Sequence, residues 1–125
     1  MNNLNIGHTE LFLREDGIIE VFASNHVYTA EDIKAIHAAI AQIKKREKEL
    51  ILLHAENFTS IDQDARKYLS TPQAGAHSIA EAYVIRTLAQ RILMNFLIRV
   101  SGTPVPVRFF TDAEEALKWL KSYES

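Results

Sequence analysis

The uninterrupted apolar run LILLHA at residues 50–55, with charged residues on both flanks, constrains the fold more than any other stretch of the chain. It has the length of a strand, and a strand that is apolar at successive positions must be covered on both faces. Such a strand sits near the middle of a sheet with helices packed on it, which points to an α/β architecture.

The flanking segments alternate in period. TELFLREDGIIEVFAS reads as two strands: Leu11 and Leu13 alternate with Phe12 and Arg14, and Ile19, Val21 and Ala23 alternate with Glu20 and Phe22. The Asp16-Gly17 turn makes them a hairpin. SNHVYTAEDIKAIHAAIAQIKKREKE then switches to a helical stripe of Ile33, Ile36, Ile40 and Ile43, with Thr29 and Asp32 spaced as a cap. The basic cluster Lys44, Lys45 and Arg46 is expected in its last turns, where it suits the helix dipole. After residue 60 a second helix follows, with Ile61, Ala65, Tyr68 and Leu69 on one face, and STPQAGAHS ends it. IAEAYVI predicts a strand, TLAQRILMNFLIRV a helix, GTPVPVRFF a strand and TDAEEALKWLKSY a closing helix. Thr111 and Glu114 are spaced as a capping box in the last of these. The alternation calls for right-handed crossovers and a mixed, mostly parallel sheet of five strands with about four helices. No internal repeat or linker divides residues 1–125, which are expected to form one domain.

Composition narrows the functional classes. With 47% hydrophobic and 24% charged residues the chain resembles an ordinary globular domain, and its formal charge of -2 lacks the basic excess expected of a nucleic-acid binder. The absence of cysteine removes thiolate catalysis, thiolate metal sites and disulfides. No secretory signal or membrane-length apolar run is apparent, so a cytoplasmic protein is expected. The histidines (His8, His26, His37, His54, His77) form no short-spaced ligand pair. With no Gly-rich phosphate loop or Gly-x-Ser-x-Gly elbow either, neither an enzyme nor a cofactor is expected.

The element order and the ending VRFFTDAEEALKWL resemble the SpoIIAA-like proteins, the superfamily that joins STAS anti-sigma-factor antagonists with CRAL-TRIO-type lipid carriers. AYVIRTLAQRILMNFL looks like the strand and helix that precede that ending in small bacterial SpoIIAA-like proteins, and the resemblance runs from about residue 10 onward. It implies a SpoIIAA-like fold. In STAS antagonists a serine in an Asp-Ser-Ser-Gly-like stretch is phosphorylated to switch partner binding. The corresponding stretch here, FTSID, presents Thr59 and Ser60 without that aspartate or glycine.

From the residues alone, Ser60 and Gln63 are spaced as a capping box, and a phosphate on Ser60 would be repelled by Glu56, Asp62 and Asp64. Asp62 and Asp64, two apart on a helix, point about 200° away from one another and cannot readily share an ion. Thr59 and Ser60, Arg86 and Thr87, and Thr111 fall at carboxyl ends of strands, where an anion could be held. The alternative is that the hydroxyls only cap helices. Helix 88–100 carries more apolar residues than one buried stripe needs. The surplus suits burial under the loop at 70–79, a homodimer contact through Met94, Phe96 and Ile98, or one wall of an apolar pocket. The expectation is a non-enzymatic interaction or regulatory module that contacts protein partners around Thr59, Ser60 and Asp62 and self-associates. The rival is a small-molecule or lipid-binding domain with an apolar cavity near helix 88–100, in which Arg86 orients an anionic head.

Overall fold

The computed structural model describes residues 3–124. In chain order the described residues form β1 (Asn3–Ile6), β2 (Thr9–Leu13), β3 (Ile19–Ala23), β4 (Val27–Tyr28), α1 (Ala30–Ile43), β5 (Glu49–Ala55), β6 (Ser60–Ile61), α2 (Gln63–Leu69), β7 (Ser78–Val84), α3 (Leu88–Phe96), β8 (Val107–Phe110) and α4 (Ala113–Lys121). A 3-10 turn at Pro72–Gly75 follows α2, and a π-helical turn at Leu97–Ser101 extends α3.

The main sheet has the order β1-β2-β3-β5-β7-β8, with β1, β2 and β3 antiparallel and β3, β5, β7 and β8 parallel. It therefore holds six strands where five were expected. The additional one is β1, whose NLNI sequence is too short and too rich in asparagine to signal a strand. It is held by pairing with β2, not by its own propensity. A separate two-stranded sheet pairs β4 with β6 in parallel.

β5 lies at the centre, and its alternate side chains enter two cores. Ile51 joins Leu11, Ile19, Val21 and the α1 isoleucines, with Ala65 of α2 closing that layer. Leu50 and Leu52 face the other way, against Ala80, Ala82 and the fully buried Ala116 and Leu120 of α4. α3 packs over the β7–β8 end of the first face through Met94 and Leu97.

The helix boundaries depart from the sequence expectations at three ends. α1 stops at Ile43, so Lys44, Lys45 and Arg46 lie beyond it. The backbone amides of Lys45 and Arg46 instead donate to Glu49 Oε2 (2.9 and 3.1 Å), and Arg46 Nε donates to Glu49 Oε1 (2.7 Å). This set gives the fully buried Glu49 carboxylate its partners and holds it below the usual carboxylate range, although burial acts in the opposite sense. α2 begins at Gln63 with Asp62 as its cap (Ala65 N to Oδ1, 2.8 Å), while Ser60 belongs to β6, its amide bonded to His26 O. Aspartate caps as well as serine, and Ser60 is held back by strand pairing. α4 is likewise capped by Asp112, not Thr111 (Glu114 N to Oδ1, 3.0 Å). The Thr29–Asp32 capping box of α1 forms as expected.

Candidate functional site

Alternation along the central strands brings Val21 and Ala23, Ile51, Leu53 and Ala55, and Glu81 and Tyr83 to one face of the sheet. α1 covers that face with Ile33, Ile36, His37 and Ile40, and α3 with Leu93, Met94 and Leu97. Between these layers the packing leaves a cavity of ≈ 90 Å³, lined almost wholly by carbon. A smaller pocket of ≈ 20 Å³ lies against Leu69, Ala74 and Pro104, and it shares Glu81, Tyr83, Met94 and Leu97 with the first.

Polar atoms are few here, and they are specific. Glu81 is half-buried, and it lines the cavity. Its Oε2 accepts from Ser78 Oγ (2.7 Å) and its Oε1 from Tyr83 Oη (3.0 Å). Among the described residues no cationic side chain forms an ion pair with it. Burial pushes the Glu81 carboxyl up, and the two hydroxyl donors only partly oppose this. Burial also pushes the Tyr83 phenol well above its ordinary value, and the adjacent carboxyl adds to the effect. On the opposite wall His37 shares a hydrogen bond with Tyr68 Oη (3.2 Å), and burial lowers its imidazole to about 4. The cavity thus presents a carboxyl whose pKa is raised, a neutral imidazole and a phenol. These groups can exchange hydrogen bonds with one polar group on an otherwise apolar molecule.

The residues singled out from the sequence divide around this cavity. Thr59 and Ser60 are on its lining. The Thr59 hydroxyl is already donated to Ala23 O (3.0 Å), and Asp62 serves as the α2 cap. Thr87 caps α3 in a reciprocal box with Gln90. The Gln90 amide also reaches the carbonyls of Glu56 (2.6 Å) and Thr59 (3.2 Å), which ties the 56–59 loop to α3. Arg86 is exposed and stands 3.7 Å from Glu56. Thr111 lies apart from it, in a surface depression with Arg91, Asp112 and Glu115. Thr59, Ser60 and Gln90 are therefore brought together, while Arg86, Thr87 and Thr111 do not converge on one cradle. Of the three residues expected to self-associate, Met94 points into the cavity and is only 5% exposed, and Ile98 is half-buried against the same core. Phe96 is exposed, beneath Arg66. Leu88, Ile92 and Val100 extend its row at four-residue spacing, so the outward ridge exists but runs through other residues.

Sequence reasoning missed Glu81, Tyr83, Ser78 and His37. The signal was present: IAEAYVI carries a carboxylate in the middle of a strand that must be covered on both faces, and His37 sits four residues from Ile33 on the buried stripe.

On the other side of the sheet, the part α4 leaves open carries a stack of Phe12, Phe22 and His54. Glu20 accepts there from Arg14 (3.0 Å) and bonds His54 Nε2 (2.6 Å). That carboxylate has its cation in place, unlike Glu81. Among the described residues no group of three or more His, Cys, Asp or Glu is placed to hold a metal, and no helix is long and apolar enough to cross a membrane.

The family described as a domain of unknown function, DUF7793, matches residues 12–124. No curated protein and no solved structure matches the chain.

Proposed function

The chain belongs to the DUF7793 family, whose description carries no activity, and we propose that it is a binding module for a small, largely apolar molecule. The carrying observation is the ≈ 90 Å³ apolar cavity beneath α1 and α3, whose wall holds a half-buried carboxyl with no charged partner among the described residues. Unfilled apolar space is destabilising for its lining, and a carboxyl drawn partly out of water adds a further cost. Both costs are offset when a ligand fills the space. The polar group inside is an acid, and Arg86 stands outside, so the site suits a neutral or basic ligand better than the anionic head considered for a carrier.

Small apolar probes such as xenon or cyclopropane test this reading. Saturable binding that raises the unfolding midpoint is expected, amounting to about 2.7 kcal/mol at a hundredfold excess over Kd. Ala55→Leu, which adds three carbons on the cavity wall, should abolish binding and stabilise the apo protein. A probe that leaves the midpoint unchanged at saturating concentration argues against the reading.

A second reading, a protein-interaction module that pairs with itself, rests on the outward ridge Leu88, Ile92, Phe96 and Val100, with Phe58 (78% exposed) beside it on the loop that Gln90 anchors. The regulatory version of this reading, with Thr59 or Ser60 as a switch, has less support, since the Thr59 hydroxyl is donated to Ala23 O and both residues belong to the cavity lining. A SpoIIAA-like assignment of the fold remains part of the proposal, supported by the strand–helix alternation after the first hairpin.

A further inference from the structure

Glu81 defines what the cavity lacks. Two hydroxyls, Ser78 Oγ and Tyr83 Oη, donate to its two carboxyl oxygens at 2.7 and 3.0 Å, an arrangement that suits a carboxylate. Yet no cation accompanies it among the described residues, and burial pushes its carboxyl up. An ion pair in such a place is favourable only when further hydrogen bonds satisfy the carboxylate oxygens. Those bonds are already built, and only the positive charge is missing. The buried carboxyls Glu20 and Glu49 both have an arginine supplied by the fold. Glu81 alone of these three faces an internal space.

We propose that the cavity takes a small apolar amine, held as its ammonium ion against the Glu81 carboxylate. This rests on the cavity reading above and names the ligand class. The ligand enters from water as the ammonium ion, whatever proton Glu81 carries passes to solvent, and the pair that forms is neutral overall, so at most one proton is released per ligand bound. Tyr83 and Ser78 stay hydrogen-bonded to the carboxylate. The neutral His37 on the far wall adds no competing charge. Size follows from volume: a dry cavity of about 150 Å³ accepts benzene, so ≈ 90 Å³ suits a ligand of about four or five non-hydrogen atoms. A carboxylic acid ligand would set a second anion against Glu81 and is rejected by the same group.

The test uses isobutylamine, its neutral isostere isobutanol, and xenon as a reporter of the cavity alone. Calorimetry at pH 7 in two buffers of different ionisation enthalpy counts protons. Isobutylamine is expected to bind at least tenfold more tightly than isobutanol and to release protons, up to one per ligand. In Glu81→Gln that release disappears and the affinity for the amine falls at least tenfold, while isobutanol changes less than twofold. Tyr83→Phe, which removes one of the two donors, lowers amine affinity several-fold and decides the matter if Glu81→Gln does not fold. Equal binding of amine and alcohol, or an amine affinity untouched by either substitution, overturns the inference while xenon binding upholds the cavity. If xenon also fails to bind, the cavity reading itself falls.

Discussion

His37 gives the most direct way to test whether the interior is as apolar as its lining implies. Its imidazole lies on the cavity wall, with Tyr68 Oη as its hydrogen-bond partner and His77 as the nearby like charge, and burial lowers its pKa to about 4 from an ordinary 6.5. The unfolded chain therefore takes up a proton near pH 6.5 that the folded chain refuses until about pH 4. Stability from this residue is complete above pH 6.5 and is lost as pH falls through that window. At about 1.4 kcal/mol per pH unit, acidification to pH 5 costs about 2 kcal/mol, and to pH 4 about 3 kcal/mol. Other groups titrate as well. Glu81, with its raised pKa, contributes stability that is complete below pH 4.5 and lost as pH rises, so it opposes His37. The lowered carboxyls of Asp16, Asp32 and Glu49 act below their unfolded values. A difference measurement isolates the histidine. His37→Asn keeps a hydrogen-bonding atom near Nδ1 and cannot titrate. Urea denaturation of both proteins at pH 7.5 and pH 5 should show the original losing about 2 kcal/mol more than the variant, a midpoint difference of about 1 M at typical slopes. Parallel acid dependence in the two proteins would show that His37 is solvated, and would remove the low-polarity interior on which the binding proposals depend.

Other outcomes follow from single contacts. At Gly75 a Cβ would meet Pro104 Cγ and Val105 Cγ1 at 2.9 Å, so Gly75→Ala should destabilise by about 1–3 kcal/mol in thermal unfolding. Because Asp62 and not Ser60 caps α2, Asp62→Ala is expected to cost about 1 kcal/mol, and Ser60→Ala clearly less; equal losses would reinstate the serine cap. Leu120→Ala, at a fully buried position under α4, should cost about 2–5 kcal/mol by denaturant titration. If the outward ridge mediates self-association, Ile92→Glu yields a folded monomer by light scattering, and an unchanged oligomer would discard that surface.

The sequence made the architecture legible wherever burial was one-sided or complete. LILLHA marked the central strand, the isoleucine stripe marked α1, and Leu120 and Ala116 marked the buried face of α4, because hydrophobic period and burial are the same information. β1, β4 and β6 were illegible for the opposite reason: Asn3–Ile6, Val27–Tyr28 and Ser60–Ile61 are strands only because a partner is there to pair with them. Caps were legible as a type but ambiguous by position where two candidate oxygens lie close together, as with Ser60 and Asp62 or Thr111 and Asp112. Leu93, Met94 and Leu97 of helix 88–100 line the cavity, but its carboxyl and phenol come from β7 and its imidazole from α1. Whether Glu81 is exposed, paired with a cation or turned into a void depends on strands far apart in the chain, which spacing alone does not encode.

The packing of α4 on the middle of the sheet has a consequence for biosynthesis. Leu50, Leu52, Ala80 and Ala82 have no cover on that face until Ala116 and Leu120 arrive. About 38 residues of translation separate Ala82 from Leu120, roughly two to eight seconds at about 5–20 residues per second. During that interval a nascent chain with five strands of the main sheet already made would carry a bare aliphatic surface. A ribosome stalled at residue 110 should therefore hold a chain that recruits chaperones and is readily cleaved by proteases, whereas one stalled far enough downstream to free α4 should hold a chain that resists both.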